Sequence, residues 1–224
     1  DLRTVAAVTR HVAGPGIDGI GDLARATAFG VLASMTALAE TLQRPVRGLR
    51  VAVQGTGAVG AALCRLLHER GAELVLADVD PARAAAIAAE VLATVVPPAA
   101  ITTVPCDVFA PCAFGGVLDA DVAARLPARG VCGAANNVLA DAAAAAALMA
   151  RGIVHVPDVI ANAGALIVGA TLSLGGGPVD DTRLLAIGDT VRVVLQRAHA
   201  QRRPPSEVAH ELAQERLRRA PSSP

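Results

Sequence analysis

Three glycines at fixed spacing are the residues of this 224-residue chain with the clearest chemical use. Gly55, Gly57 and Gly60 lie in the segment VAVQGTGAVG, after an apolar run that predicts a strand and before an apolar periodicity that predicts a helix. In such a loop the first glycine permits a tight turn, the second lets the backbone approach a phosphate, and the third lets the helix pack against the strand. The free N–H groups at the start of the helix attract negative charge.

An acidic residue extends this pattern. A second apolar strand is predicted to end at Asp78, about 20 residues after the loop, where a carboxylate can accept hydrogen bonds from the ribose hydroxyls of an adenine dinucleotide and repel a 2′-phosphate. We therefore expect NAD to bind in preference to NADP. Arg83 follows closely and leaves a contact with a 2′-phosphate open, although a solvated helix residue is the favoured interpretation. The cofactor-binding residues predicted from this unit are Gly55, Thr56, Gly57, Ala58, Val59, Gly60, Asp78 and Val79.

The elements that must position these residues alternate between strands and helices. Further strands are predicted over residues 103–112, 130–135 and 153–156, and helices over 82–92, 121–126, 141–151 and 163–174. This alternation predicts an α/β fold, a Rossmann-type doubly wound and mostly parallel sheet with flanking N- and C-terminal helices. Because ligands bind at the carboxyl ends of such strands, the loops that follow them are expected to line one crevice.

The chain divides into three predicted parts. Residues 1–46 form a lead-in and hinge helix, with a glycine-rich start over residues 1–22 and helical spacing over 26–42. Residues 47–180 form the dinucleotide-binding domain. Residues 181–224 form C-terminal helices, predicted over 181–202 and 206–219, which are expected to return toward a catalytic domain absent from this chain.

The composition argues against other classes of protein. Twenty acidic residues balance twenty arginines, so the chain lacks the basic surface that nucleic-acid binding needs. No apolar run reaches the length of a membrane span. Four cysteines without metal-ligand spacing are typical of reduced thiols in a cytoplasmic protein, and no metal site is expected. With three Phe and no Trp or Tyr, stacking of a cofactor ring on an aromatic side chain is not expected.

Several longer segments resemble the cofactor domain of the Glu/Leu/Phe/Val amino-acid dehydrogenase family, and most closely its leucine, phenylalanine and valine branch. These segments occur in colinear order over nearly the whole chain, although Val159 and Ala165 stand where the family usually has an aromatic residue and a glycine. They are GDLARATAFGV at 21–31, VAVQGTGAVG at 51–60, CDVFAPCAFGG at 106–116, CGAANNVL at 132–139 and PDVIANAGALI at 157–167.

The resemblance implies NAD-dependent oxidative deamination of an apolar L-amino acid to its 2-oxo acid and ammonia. In the family, two lysines and an aspartate of an N-terminal domain perform the acid–base chemistry. This chain has no lysine, so no catalytic residue is assigned and the chain alone is expected to be inactive. The full-length protein is expected to form a homo-oligomer.

The resemblance also assigns residues to the two ligands. Further cofactor contacts are expected from Ala110, Pro111, Cys112, Ala135, Asn137 and Thr27. Contacts with the amino acid or 2-oxo acid are expected from Asn137, Asn162, Leu166 and Gly169.

Two alternatives remain open at this point. The first is a non-enzymatic NAD(H)-binding sensor or inactive homologue, which the missing lysines motivate. The second is another small-molecule dehydrogenase on the same fold, because a fold alone does not determine a function.

Overall fold

The structure, a computed structural model, describes residues 4–5, 7–9, 22–174, 176–177 and 179–219. Most of the predicted lead-in over residues 1–22 therefore lies outside the described residues, as do Gly175 and Pro178 of the predicted glycine-rich break.

In the described part of the chain, six parallel strands form a single sheet. In spatial order they are β3 (Thr94–Val95), β2 (Glu73–Ala77), β1 (Arg50–Gln54), β4 (Val108–Pro111), β5 (Gly130–Val131) and β6 (Val154–His155), numbered by their order in the chain. Strand β1 lies in the middle of the sheet, β2 and β3 extend the sheet to one edge, and β4, β5 and β6 extend it to the other. The loops after β1 and β4 therefore lie side by side. This topology confirms the predicted α/β fold with a doubly wound parallel sheet.

Helices cover both faces of the sheet. Those in chain order are α1 Leu23–Thr41, α2 Ala58–Glu69, α3 Pro81–Val91, α4 Ala120–Arg125, α5 Ala142–Ala150, α6 Asp158–Ala161, α7 Gly164–Ser173, α8 Asp181–Leu185, α9 Ile187–Gln201 and α10 Pro205–Arg219, with a 3₁₀ helix at Pro98–Thr103. The apolar faces of α1, α2, α3 and α9 meet one face of the sheet in a common cluster. The 3₁₀ helix, α4 and α5 meet the other face in a second cluster.

The elements differ from the sequence predictions mainly at their ends. The strand predicted over 103–112 is only Val108–Pro111, because Pro98 starts a 3₁₀ helix that extends to Thr103. The short strand β3 was missed, since its two residues are exposed and carry no apolar alternation. The helix predicted over 181–202 divides at Ala186 into α8 and α9.

Helix α1 is the most deeply buried helix on its face of the sheet. It spans 19 residues, and almost all of them from Ala26 to Ala39 are buried. The Asp22 side chain caps it by accepting a hydrogen bond from the Arg25 amide. Leu38 approaches the sheet so closely that a Cβ at Gly130 would lie 2.8 Å from its Cδ2 atom. The hinge helix and the sheet therefore share one core, and the domain boundaries at 46 and 180 stay a prediction.

Within the described residues, no helix combines the length and the apolar character that crossing a bilayer requires.

Replacing Leu38 by Ala tests how far the fold depends on this helix. Leu38 is fully buried, so its loss should lower the free energy of unfolding by about 2–5 kcal/mol. Leu217→Ala is the matched control, because Leu217 is 75% exposed and its loss should cost less than about 0.5 kcal/mol. Urea denaturation followed by far-ultraviolet circular dichroism measures both, and equal effects would contradict the central position of α1.

Candidate functional site

The glycine-rich loop between β1 and α2 forms the centre of the candidate site. Gly55 has a φ of +94°, and a Cβ there would lie 2.8 Å from the Ala113 Cβ, so only glycine fits. A Cβ at Gly60 would overlap the Gly55 carbonyl oxygen, which means that α2 starts in direct contact with the end of β1. A Cβ at Gly57 would meet no atom within 4 Å, so this backbone faces open space. The loop therefore presents bare backbone to whatever binds over it.

The first turn of α2 has free N–H groups. Its N-cap residue, Gly57, has no side chain to accept from them, and the first N–H groups of a helix have no partner within the helix. Other helices of the described structure are capped by aspartates, namely Asp22, Asp80, Asp119, Asp141 and Asp180. The positive end of the α2 dipole is thus left available for an anion at the open side of Gly57.

The Asp78 carboxylate anchors this loop. Its Oδ2 atom accepts from the Thr56 amide at 2.6 Å and from the Thr56 hydroxyl at 3.0 Å, and its Oδ1 atom accepts from the Asp80 amide at 2.9 Å. Burial opposes its ionisation, but these hydrogen bonds and the Arg83 guanidinium, 3.8 Å from Oδ2, outweigh burial, so the pKa of Asp78 is lowered. The carboxylate therefore holds a charge and orients Thr56, while Oδ1 keeps a lone pair for a further donor.

A small cavity of about 280 Å³ lies beside Asp78. Its wall is mostly apolar and includes Val79 and Phe114, which are 82% and 84% exposed. Phe114 is a residue that the sequence analysis missed, although the segment CAFGG contains it, and it offers the aromatic face that the composition argued against. Gln54 also lines the cavity, and its buried Oε1 atom has no hydrogen-bond partner among the described residues.

Hydrogen bonds connect the loops that follow β5 and β6. The Asn162 amide donates to Asn136 Oδ1 at 2.7 Å and to the Ala134 carbonyl at 3.2 Å. The backbone N–H of Asn137 donates to the Asp158 carboxylate, and Asn137 has a φ of +51°, in the left-handed region. Asp158 and Asn136 lie in loops that the sequence predicts to line the crevice, but neither was assigned a contact with a ligand. Because they hold Asn137 and Asn162, these loops form one polar wall of the crevice.

Thr27 lies where α1 meets α7, the helix that carries the predicted substrate residues Leu166 and Gly169. A Cβ at Gly164 would overlap the Ala26 carbonyl oxygen and lie 3.0 Å from the Thr27 amide, so the two helices touch there. The Thr27 hydroxyl donates to the Leu23 carbonyl at 3.0 Å. On α7, Leu166 is 71% exposed and Gly169 is half-buried.

The other predicted cofactor residues lie at the ends of β4 and β5. Ala110 and Ala135 are buried with their side chains in the two apolar clusters, so only backbone or neighbouring atoms can reach the crevice from them. The Ala135 amide donates to the Pro111 carbonyl at 2.9 Å, and the Cys112 amide donates to the Gln54 carbonyl at 2.7 Å. These bonds join the segment after β4 to the glycine-rich loop on one side and to the polar wall on the other.

The four thiols of the chain and the buried imidazole of His155 are uncharged at neutral pH. Burial raises the pKa of Cys112 and of Cys106 to about 11, and it raises those of Cys64 and Cys132 as well. Burial lowers the pKa of His155 to about 4. Among the described residues, no group of three His, Cys, Asp or Glu side chains is arranged to hold a metal ion.

The parallel sheet, its strand order and the glycine-rich loop before α2 define a Rossmann-type α/β protein, the architecture of dinucleotide-dependent oxidoreductases. More particularly, the chain belongs to the Glutamate/Leucine/Phenylalanine/Valine dehydrogenase family, whose profile matches residues 19–82 and 76–171. This match confirms the resemblance drawn from the sequence segments, and it makes the chain part of an amino-acid dehydrogenase family of oxidoreductases.

Similarities to individual dehydrogenases are consistent with membership of this family. The chain is 38% identical over 226 residues to the valine dehydrogenase of Streptomyces virginiae, covering 97% of this chain and 63% of the relative. It is 35% identical over 224 residues to an L-tryptophan dehydrogenase of Nostoc punctiforme, covering 97% and 62%. The crystal structure of L-tryptophan dehydrogenase from Nostoc punctiforme superposes with a TM-score of 0.83 at 35% identity, covering 88% of this chain and 61% of that one. The chain thus spans about six-tenths of the length of these relatives.

Replacing Asp78 by Asn should make stability less dependent on pH. The lowered pKa of Asp78 means that its stabilisation is fully present above the unfolded-state value, near 4, and is lost as the pH falls through the folded-state value. Asp78→Asn should therefore cost about 1–3 kcal/mol at neutral pH and less at pH ~3. Urea denaturation at both pH values measures this, with Asp121→Asn, on the exposed first turn of α4, as the control. An equal cost at both pH values would show that Asp78 does not act through its charge.

Proposed function

We propose that these 224 residues are the NAD-binding portion of an enzyme that oxidatively deaminates an apolar L-amino acid to its 2-oxo acid and ammonia. The observation that carries the cofactor assignment is the uncapped N-terminus of α2 behind the open backbone of Gly57. Membership of the amino-acid dehydrogenase family supports the reaction class. The names of the relatives, valine and L-tryptophan dehydrogenases, support an apolar substrate.

The residues of the loop fit a dinucleotide in three places. The N–H groups of Ala58 and Val59, in the first turn of α2, would bind the pyrophosphate. Asp78 would accept from the adenosine ribose through Oδ1, which favours NAD because a carboxylate repels a 2′-phosphate. The cavity of about 280 Å³ beside Val79 and Phe114 would hold the adenine. The bound cofactor would supply the hydride acceptor.

The polar wall and α7 would form the substrate side. Asn137 and Asn162 are placed there by the hydrogen bonds with Asp158, Asn136 and the Ala134 carbonyl. The exposed Leu166 on α7, with Gly169 one turn away, would provide apolar surface for the substrate side chain. Thr27, at the start of α1, would complete the nicotinamide end of the crevice together with the segment from Ala110 to Cys112.

The acid–base groups of the reaction are proposed to come from another part of the protein. The 224 residues contain no lysine, whereas lysines perform this chemistry in the amino-acid dehydrogenase family that the sequence segments resemble. The full-length protein is proposed to be a cytoplasmic homo-oligomer. All four cysteines are free thiols, which agrees with a reducing compartment.

Titration with NADH tests the cofactor site directly. The chain has no Trp or Tyr, so changes in the fluorescence of NADH report binding against a dark protein background. Gly57→Ala should leave the fold intact, because its Cβ meets no atom, yet weaken NADH binding by about tenfold or more through loss of the close phosphate approach.

Gly177→Ala is the matched control for this titration, since Gly177 also has open space around its Cα but lies outside the loop. Its affinity for NADH should equal that of the unaltered chain. Undisturbed NADH binding by Gly57→Ala, or no binding by the unaltered chain at millimolar NADH, would falsify the assignment.

An assay of amino-acid deamination distinguishes the 224-residue chain from a longer protein. The 224-residue chain should bind NADH but show no NAD-dependent deamination of leucine, valine, phenylalanine or tryptophan. A protein that includes the upstream coding sequence should show that activity, measured as NADH formation in the presence of the amino acid. Deamination by the chain alone would contradict the proposal. A longer protein that binds NADH without deaminating any amino acid would favour the sensor alternative.

A further inference from the structure

A cavity of about 430 Å³ lies beside β6, the strand at the opposite edge of the sheet from β3. It is enclosed by α5, by the end of α9 and by the segment that leads into α10. It shares no lining residue with the cavity beside Asp78. Its volume falls within the range of sites that bind small molecules in proteins.

The wall of this cavity is mainly hydrocarbon. Ala145 and Met149 of α5, Leu195 and Ala198 of α9, and Ile153 before β6 all line it. Such a wall favours a branched or aromatic apolar body and disfavours a sugar or a polyphosphate, whose polar groups would lose their water without gaining hydrogen bonds.

The charged groups of the lining are all cationic. Arg202 and Arg203 line the cavity, and no acidic side chain among its described lining residues does. Arg203 is already paired with Glu207 and Glu211, at 3.2 and 2.9 Å. Arg202 has no ion pair or side-chain hydrogen bond within the described residues. Its charge is therefore available to a ligand, and it stands where α9 ends and α10 begins.

The start of α10 favours an anionic head over a cationic one, and a second group can donate a hydrogen bond to it. Ser206 lines the cavity in the first turn of the 15-residue helix α10, where the helix dipole is positive. His155 lines the cavity with only 7% of its surface exposed, and its ring has no hydrogen-bond partner among the described residues. Because burial keeps this ring neutral, it can hydrogen-bond a ligand oxygen without adding charge.

We propose that this cavity binds a small monocarboxylate with a branched or aromatic hydrocarbon body, the carboxylate on Arg202 and the body between α5 and α9. A 2-oxo acid and a short fatty acid share this chemistry. The site would lie apart from the crevice at the carboxyl ends of the strands, so a ligand here would not compete with a dinucleotide for space.

The two methionines of the chain provide a direct measurement. Met149 lines the cavity, whereas Met35 is fully buried in α1 and serves as an internal reference. In the chain labelled with ¹³C at the methionine methyl groups, titration with isocaproate should shift the Met149 signal saturably and leave the Met35 signal in place. The 2-oxo analogue of isocaproate, tested in parallel, distinguishes the two sources: tighter binding of the analogue identifies a 2-oxo acid site, and equal binding identifies a general carboxylate site.

Two variants with matched controls test the two halves of the site. Ala145→Leu should fill the cavity and abolish the Met149 shift, whereas Ala146→Leu, one residue along α5 and exposed, should not. Arg202→Asn keeps a residue that tolerates the left-handed backbone, φ +54°, at this position. It should weaken isocaproate binding about tenfold through the lost charge-assisted hydrogen bonds. Arg216→Asn, farther along α10 and exposed, should have no effect.

Three results would overturn the proposal. The first is an unmoved Met149 signal at millimolar isocaproate. The second is equal affinity for isohexanol, which has the same hydrocarbon body without the charge. The third is an affinity for isocaproate that Ala145→Leu leaves unchanged.

Discussion

The close contact between the end of β1 and the start of α2 is the constraint on which the site depends. At Gly60 the helix approaches the Gly55 carbonyl so closely that no side chain fits between them. This contact fixes where the axis of α2 points, and hence where its free N–H groups lie. The hydrogen bonds from Thr56 to Asp78 then hold the intervening loop against the end of β2. The loop is consequently shaped before any ligand binds, which reduces the entropy that binding must overcome.

The other loops that line the crevice are also held in place by contacts with their neighbours. Asp158 holds the left-handed backbone of Asn137, and Asn162 bridges Asn136 and the Ala134 carbonyl, so the loops after β5 and β6 support one another. Next to these loops, α7 contacts α1 at Gly164, where there is no room for a side chain. Each segment of the crevice is thus held by a backbone contact or a hydrogen bond to its neighbour. The exposed side chains, such as Leu166 and Phe114, are the parts left free to meet a ligand.

Sequence patterns predicted the fold because apolar periodicity and the glycine spacing are local properties of the chain. They located β1, α2 and Asp78 correctly, and the family match confirms the wider resemblance. They could not show that Asp78 bonds Thr56 or that Asp158 holds Asn137, because these pairs are 22 and 21 residues apart and meet only once the strands are aligned. They also missed β3, whose two exposed residues form a strand only because β2 lies beside them. Phe114 is exposed beside the cavity because of the path that the loop after β4 takes, and no local sequence pattern encodes that path.

The electrostatics of the crevice agree with a division of labour between binding and proton transfer. Cys112 has a pKa of about 11, while Asp78 ionises below its usual range. These groups therefore keep one protonation state across the neutral range, and they shape or charge the site without exchanging protons in it. The anion site on α2 is built from backbone N–H groups, which do not titrate at all. The charge that these groups present to the crevice is therefore constant near neutral pH. Oxidative deamination also requires groups that gain and lose protons near neutral pH, and the proposed location of those groups in another part of the protein follows from this need.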